Sequence, residues 1–343
     1  MPVKIKDKQT GLTVPKISPL FCDKLAVTLP VSANYRTDVT NIFKNHICGN
    51  YGAKKYWHST SLYKHAIKIP FDPICKNNLL FQCSPRNPKH SFVRVEYNPS
   101  KISLMEVRVI LDQILPHGFD SLYHQGKIRR IDLAVDMSWV SPHNLIFHYP
   151  GISCSRNFLK GGRIQSAYLG EKESPKQLII YDKVAELKKQ NAKTPKDLKY
   201  QIPHYDVTRV EVRLRPDGIS FPGLMKLSNP LDNLQLCVCK DVDKGDDEYL
   251  LFRRLCIYEG FPQVLKLISS KDKRKKYVNK IMSDGITSFW NPDKVWAGLQ
   301  DALQDAGIPV GKSPETGTNN VSNLWQQIAS AANCKVFAPS CST

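Results

Sequence analysis

Apolar and polar residues alternate along three segments of the chain, 91–101, 127–140 and 208–216. A period of two places successive side chains on opposite faces of a strand. In the second segment, for example, Leu133 lies on one face and Asp132 on the other. Each segment therefore predicts a strand with one apolar and one polar face, as in an antiparallel sheet that is packed on one side.

Two further segments extend this predicted sheet. Segment 156–170 predicts a hairpin that turns at the glycine pair 161–162. The segment QLIIYDK, residues 177–183, predicts the next strand. It passes from three apolar residues directly to Tyr-Asp-Lys at 181–183, an unusual end for a buried strand.

Helical spacing replaces the alternation elsewhere. Segment 103–115 begins with a serine suited to capping a helix. The segments 248–260, 261–269 and 271–282 are also helical in pattern, and 306–320 resembles a linker. The sequence therefore predicts an α+β fold with an antiparallel-sheet core and a helical C-terminal region.

The net charge of the chain indicates the class of its partner. The 343 residues include 49 Lys+Arg and 31 Asp+Glu, a formal net charge of +18. A surplus of this size favours a polyanionic partner, most simply nucleic acid. The chain has no 18-residue apolar run and no apolar signal segment. Its ten cysteines include no Cys-x-x-Cys pair. We therefore expect a cytoplasmic protein with reduced thiols and no membrane partner.

Four carboxylates lie on the polar faces of the predicted strands: Glu96, Asp132, Asp136 and Glu211. A solvated sheet face explains any one of them taken alone. Together they are unusual, because Asp and Glu are depleted in strands and like charges on neighbouring strands repel unless a cation lies between them. Oxygen ligands of this kind suit Mg²⁺ or Mn²⁺. The pattern thus predicts a divalent-metal site.

Tyr181 is the candidate nucleophile beside such a site, since a rigid strand would hold its phenol in place. A half-buried tyrosine where a core strand reaches the surface is the structural alternative. Lys183, predicted on the same strand face, would steady a phosphate or the phenolate, although a solvated lysine explains it equally well. Tyr168 is the nearest competing phenol, and we interpret it as a packing residue.

Five segments resemble, in order and approximate spacing, the motifs of the replication initiation factor family of rolling-circle plasmids and phages. They are RVEYNPSK (94–101), RRIDLAVD (129–136), AYLGEKES (167–174), IYDK (180–183) and TRVEVRLR (208–215). The resemblance covers residues 90–216. The chain lacks the His-x-His pair by which many other rolling-circle initiators hold their metal, so a carboxylate site is the consistent expectation.

The resemblance implies a rolling-circle-initiator or relaxase-like catalytic core that nicks one DNA strand at an origin and later religates it. The tyrosine of the IYxK motif, here Tyr181, would form a 5′-phosphotyrosyl link and leave a free 3′-OH primer. Glu96, Asp132 and Asp136 would be metal candidates, with Glu211 also near the site. The family usually has Arg two positions before the tyrosine, where this chain has Ile179.

Basic residues predict the DNA contacts, and the resemblance supplies the partners. The candidates for phosphate contact are Arg209, Arg213, Arg253, Arg254, Lys273, Arg274, Lys275 and Lys276. The expected partners are duplex origin DNA, the extruded single-stranded nick site, and a host helicase and polymerase. A homodimer is left open.

The predicted domains follow from these assignments. They are a flexible basic arm at 1–20, a catalytic nicking domain at 21–220, a helical DNA-binding region at 221–305, and a linker and tail at 306–343. Two other functions remain open at this point. One is a metal-dependent nuclease that uses water, with Tyr181 structural, and the other is a non-catalytic origin-binding regulator. A tyrosine recombinase is disfavoured, because no His-x-x-Arg box precedes the tyrosine.

Overall fold

The structure is a computed structural model. It describes residues 4–7, 11–44, 54–56, 61–71, 77–115, 118–150, 152, 154–194, 196, 199–238 and 247–308. The chain divides into two compact units, Met1–Pro309 and Val310–Thr343, and every described residue belongs to the first. Residues from 309 onward, most of the predicted linker and tail, lie outside the described residues.

Antiparallel strands form the central sheet of the described fold. Their bounds are β1 Ile5–Lys6, β2 Thr13–Val14, β3 Lys16–Ile17, β4 Phe21–Leu29, β5 Lys54–Tyr56, β6 Tyr63–Pro70, β7 Asn78–Pro85, β8 Val93–Tyr97, β9 Lys127–Ser138, β10 Leu145–His148, β11 Ser155–Lys160, β12 Arg163–Leu169, β13 Lys176–Asp182, β14 Val207–Leu214 and β15 Gln235–Val238. The main sheet has the order β11-β12-β13-β14-β9-β4-β8-β7-β6-β5, and β3 also pairs with β9.

Strand register explains why one face of this sheet is the core. Leu169, Leu178, Val212 and Leu133 lie directly opposite one another on four consecutive strands, and all four are fully buried. Because opposite residues share a face and successive residues alternate, the intervening rows point the other way. Those rows carry the polar side chains of the same strands, so the alternation in the sequence becomes a polar face across the middle of the sheet.

Helices flank the sheet and dominate the C-terminal part. Their bounds are α1 Ala33–Ile42, α2 Leu104–Ile114, α3 Gly118–Gln125, α4 Lys183–Asn191, α5 Asp247–Glu259, α6 Phe261–Leu267, α7 Lys271–Asp284, α8 Pro292–Ala297 and α9 Leu299–Asp305. Ser103 caps α2 as the sequence predicts, in a reciprocal capping box with Glu106. The helices after residue 246 build a second apolar cluster, in which Tyr249, Phe252 and Tyr277 pack with Ile146 and Cys237.

The predicted fold class is confirmed: the chain is α+β, with an antiparallel-sheet core and helices in the C-terminal part. Within segment 1–20, predicted as a flexible arm, Lys16–Ile17 pair with Ser138 and Met137 of β9 and so belong to the main sheet. No helix in the described ranges is long and apolar enough to cross a membrane.

Candidate active site

Tyr181 is the penultimate residue of β13, and the helix α4 begins two residues later. Asp182 is the N-cap: its Oδ1 accepts a hydrogen bond of 2.8 Å from the backbone N–H of Ala185. A carboxylate suits this position because it satisfies an unpaired backbone donor and the positive end of the helix dipole. The segment Tyr-Asp-Lys is thus a strand-to-helix junction that holds the phenol at its end.

The strand-face position predicted for Lys183 is wrong. Lys183 is the first residue of α4, because the cap at Asp182 ends the strand alternation there. Its Nζ donates a hydrogen bond of 2.5 Å to Glu186 and lies 5.9 Å from the centre of the Tyr181 ring. The ammonium group is therefore beside the phenol, but it reaches this position from the first helical turn.

Arg209 lies directly opposite Tyr181 on β14, and Asp136 lies opposite Arg209 on β9. The guanidinium donates to both carboxylate oxygens of Asp136, at 2.6 and 2.8 Å, and to Oδ1 of Asp23 at 3.1 Å. It also lies 4.8 Å from the centre of the Phe21 ring. These contacts fix a buried cation next to the candidate nucleophile.

The surroundings of Tyr181 act on its pKa in opposite directions. Burial raises the pKa of the phenol above its ordinary value, and the charge of Arg209 lowers it without reversing the net effect. Glu186, Glu211 and Asp23 add further upward shifts. The phenol is therefore protonated in the free protein at neutral pH, and a reaction at its oxygen requires added positive charge or loss of the proton as the new bond forms.

A second charged group lies further along the same face, one row away at Glu211 and two rows away at Asp132 and Arg213. Asp132, with a side chain only 2% exposed, accepts two hydrogen bonds from Arg130 at 2.8 and 2.5 Å and one from Arg213 at 3.2 Å. Arg213 also donates to Glu211 at 3.0 Å. Burial and then the charge of Asp132 raise the pKa of Glu211 well above its usual range. Two adjacent carboxylates thus share one guanidinium.

Glu96 belongs to a separate ion pair near the middle of the sheet. It accepts hydrogen bonds from Lys24 at 2.9 Å and from Arg94 at 2.7 Å. Burial opposes ionisation of this carboxylate, but the two cations outweigh burial and hold its pKa at about 2. Its strand, β8, is separated from the strand of Asp132 by β4, a backbone distance of about 10 Å.

The fit of these carboxylates to a divalent ion is poor as they are placed. In the part of the chain that the structure describes, no group of three or more His, Cys, Asp or Glu side chains is arranged to hold a metal ion. The oxygen atoms that Mg²⁺ or Mn²⁺ would need are engaged by Arg130, Arg213, Arg209, Lys24 and Arg94. Among the four predicted ligands, Asp132 and Glu211 are the pair that shares one cation, and that cation is the guanidinium of Arg213.

Ile179 occupies the position where the resemblance leads one to expect Arg, and its side chain is buried. It lies opposite Glu211 on one side and Tyr168 on the other. A buried positive charge beside Tyr181 comes instead from Arg209 on the neighbouring strand. Ile179 thus replaces the expected arginine on the strand of Tyr181, and Arg209 supplies a positive charge from the adjacent strand instead.

The basic residues predicted to contact DNA fall into two groups. Arg209 and Arg253 are buried, and Arg213 is bound to the site carboxylates. Arg254, Lys275 and Lys276 are exposed. Lys273 is exposed but lies 2.5 Å from Glu248, and Arg274 donates to the backbone oxygen of Ser269. The exposed members all lie on α5 and α7.

Sequence reasoning missed three residues of the site: Asp23, Lys24 and Arg130. Asp23 is the extra residue at a register shift between Cys22 and Lys24 in β4. Such a bulge re-aims a side chain and leaves no sequence signature here. Arg130 did carry a signal, because the spacing Arg-x-Asp puts it on the same strand face as Asp132.

No protein-family model matches the chain. A replication initiation protein of Staphylococcus aureus is 24% identical over 197 residues, a match that covers 57% of this chain and 57% of that protein. The chain therefore matches little more than half the length of this relative. The solved structure of a rolling circle replication initiator protein from Geobacillus stearothermophilus aligns with 71% of this chain and 97% of that one, with 12% identity and a TM-score of 0.35.

Proposed function

We propose that this protein initiates rolling-circle DNA replication by nicking one strand at an origin, with Tyr181 as the nucleophile. The observation that carries the proposal is the placement of a phenol at a strand end directly opposite the buried guanidinium of Arg209. The similarity to a replication initiation protein and the net charge of +18 support a DNA substrate.

The geometry suits an in-line displacement at a phosphodiester. Leu178 and Ile180 belong to the same strand as the tyrosine and are fully buried in the core, so they restrict movement of the phenol. In the step we propose, the phenolic oxygen bonds to phosphorus, the bond from phosphorus to the 3′ oxygen breaks, the phenolic proton is released and the 3′ oxygen gains a proton. The product is a 5′-phosphotyrosyl link and a 3′-OH primer.

Arg209 is the residue we propose to stabilise negative charge in this step. Its guanidinium is already ordered by Asp136 and Asp23, so little reorganisation is needed when charge develops at the phenolic oxygen or the phosphate. Because the aryl ester keeps the phosphodiester energy, attack by a 3′-OH reverses the reaction and religates the strand. Religation therefore distinguishes this mechanism from hydrolysis by water.

No step of this mechanism passes through Mg²⁺ or Mn²⁺, because guanidinium groups engage the described carboxylates. A divalent ion at Asp132 and Glu211 is a separate proposal with its own test below. Binding of duplex origin DNA is proposed for the exposed cations of α5 and α7, since exposed lysines and arginines contact phosphates without rearranging a core. A host helicase, a polymerase and a second copy of the chain are further proposed partners.

The test uses supercoiled DNA of the parent replicon with the full chain. Tyr181→Phe keeps the ring and deletes only the oxygen, so it is expected to fold and bind DNA as the wild type does, but to form no covalent adduct and neither nick nor religate. Tyr168→Phe is the matched control on the adjacent strand and is expected to retain all activities. The linked residue is mapped by mass spectrometry of the adduct peptide.

Three outcomes separate the alternatives. Nicking without an adduct, retained in Tyr181→Phe, would identify a nuclease that uses water. Origin binding without cleavage of any strand would identify a regulator. An adduct on Tyr168 would reassign the nucleophile.

A further inference from the structure

An aromatic pair, the exposed Phe158 and the half-buried Tyr168, lies near Tyr181 toward the edge of the sheet. Phe158 on β11 lies opposite Ser166 on β12, and Ser166 lies opposite Tyr181. Opposed residues share a face, so the Phe158 ring is on the same side of the sheet as the phenol, two strand spacings or about 10 Å away. Phe158 is 54% exposed and meets the half-buried ring of Tyr168 edge-on, with centroids 5.5 Å apart.

The packing of the hairpin does not explain these rings. The opposite side of β11 and β12 carries Ala167 and Leu169, which are fully buried. The strand register shifts at the step from Phe158 to Leu159, a bulge of the kind that re-aims side chains at sheet edges. An exposed phenylalanine on an edge strand gains little from folding, because most of its ring stays in water.

The charges beside the rings fit a nucleic acid strand. Lys160 and Arg163 lie opposite each other where the hairpin turns, and both are exposed. Directly opposed like charges destabilise a hairpin unless an anion lies between them. Neither side chain has an acidic partner within the described ranges. Arg156 of β11, also exposed, is a third cation of the hairpin and lies 3.6 Å from Glu171.

We infer that the β11–β12 hairpin is a binding surface for unpaired bases of single-stranded DNA, with Phe158 and Tyr168 stacking on bases and Lys160 and Arg163 contacting phosphates. Aromatic rings interleaved with cations are how proteins hold single strands without reading sequence. The inference rests on the proposed function, because the row then leads the strand to the phenol of Tyr181. It adds to that function a place where the melted strand is held beside the phosphate to be cut.

The experiment measures binding of a fluorescein-labelled twelve-nucleotide thymidine oligonucleotide to the full chain by anisotropy, across a series of salt concentrations. Phe158→Leu keeps an apolar side chain but removes the π-face. Loss of one stacked base predicts affinity weaker by about tenfold, with the salt dependence unchanged because no phosphate contact is lost. The double variant Lys160→Ala, Arg163→Ala is expected to flatten the salt dependence.

An abasic oligonucleotide of the same length separates stacking from a merely structural role. The wild type should bind the abasic strand about a hundredfold more weakly than the thymidine strand, because two stacked bases are missing. In Phe158→Leu this difference should shrink to about tenfold, since only Tyr168 still stacks on a base. Tyr35→Leu, a change at a comparably exposed ring (49%) on α1, is the matched control and should behave as wild type. Binding of a twenty-base-pair duplex should be the same in all of them.

The inference is overturned if Phe158→Leu and Tyr168→Leu both bind the thymidine strand as tightly as the wild type, or if the abasic strand binds the wild type equally well. A change in sedimentation of the free protein on Phe158→Leu, with unchanged oligonucleotide binding, would instead assign the edge to a second copy of the chain. Because no cleavage is needed, these results stand whether or not Tyr181 proves to be the nucleophile.

Discussion

Replacement of Arg209 by glutamine tests whether the ion-pair network, rather than packing alone, holds the central strands together. The guanidinium donates three hydrogen bonds to two carboxylates and covers the Phe21 ring. Breaking a buried pair from one side costs about 3–5 kcal/mol, because the remaining charge loses its partner. The side chains of Asp136 and Asp23 are 28% and 21% exposed, so water can partly solvate their charges after Arg209 is removed. We therefore expect the free energy of unfolding to fall by about 3 kcal/mol.

Urea unfolding followed by circular dichroism at neutral pH measures this loss. A decrease of about 3 kcal/mol lowers the folding equilibrium constant by about two powers of ten, which a domain of ordinary stability survives. Arg209→Lys keeps the charge but cannot form the two-pronged contact, so about half of the loss should remain. Arg156→Gln breaks an arginine–carboxylate pair whose side chains are 67% and 61% exposed, and as the control it should change stability by less than about 1 kcal/mol.

The same variants separate the structural from the chemical role of Arg209. If the guanidinium stabilises developing charge, the single-turnover nicking rate of Arg209→Gln should fall by about 10²–10³ at temperatures where the variant is fully folded. A stability within 1 kcal/mol of the wild type would refute the buried-pair reasoning. A normal nicking rate in the folded variant would remove Arg209 from the proposed mechanism.

Three further predictions concern the other charged groups. If a divalent ion bound at Asp132 and Glu211 assists cleavage, Asp132→Asn, which keeps the side-chain shape, should retain duplex binding and lower nicking by about 10²-fold or more. Assays in Mg²⁺, Mn²⁺ and EDTA test this ion, and nicking that persists in EDTA would remove it. Alanine at positions 273–276 should reduce the slope of log binding constant against log salt for duplex DNA by about 0.9 per lost phosphate contact. An unchanged slope would show that these residues do not form the duplex-binding surface. Lys24 and Arg94 hold the pKa of Glu96 at about 2, so the ionised carboxylate stabilises the fold above its unfolded-state pKa and this contribution is lost as pH falls toward 2. The difference in free energy of unfolding between the wild type and Glu96→Gln should therefore decrease from pH 5 to pH 2. A difference that does not change with pH would contradict the ion pair.

Local patterns were sufficient for the elements around the site. The alternation at 127–140 became β9 and that at 208–216 became β14, within two residues at each end. The glycine pair at 161–162 turns the predicted hairpin, with positive φ at both residues. These features are local because a side chain's face depends only on its own strand's period. Strands β6 and β7 were not predicted, because their segments lack turn signals as clear as those beside the predicted strands.

The ion-pair partners of the site could not be predicted from local sequence. The sequence contains Arg-x-acid spacings at Arg94–Glu96, Arg130–Asp132 and Arg209–Glu211, and the first two form ion pairs along the strand. The third does not, because Arg209 reaches across to Asp136.

The sequence by itself determined which residues face away from the core, and hence that carboxylates and a phenol would share one side of a sheet. Only the tertiary structure decided that guanidinium groups lie between those carboxylates, that a bulge brings in Asp23, and that the Tyr181 row continues to Phe158. The reason is physical. Alternation is a property of one strand, whereas pairing depends on the register between strands that are far apart in the sequence, and a shift of one residue in register changes every partner.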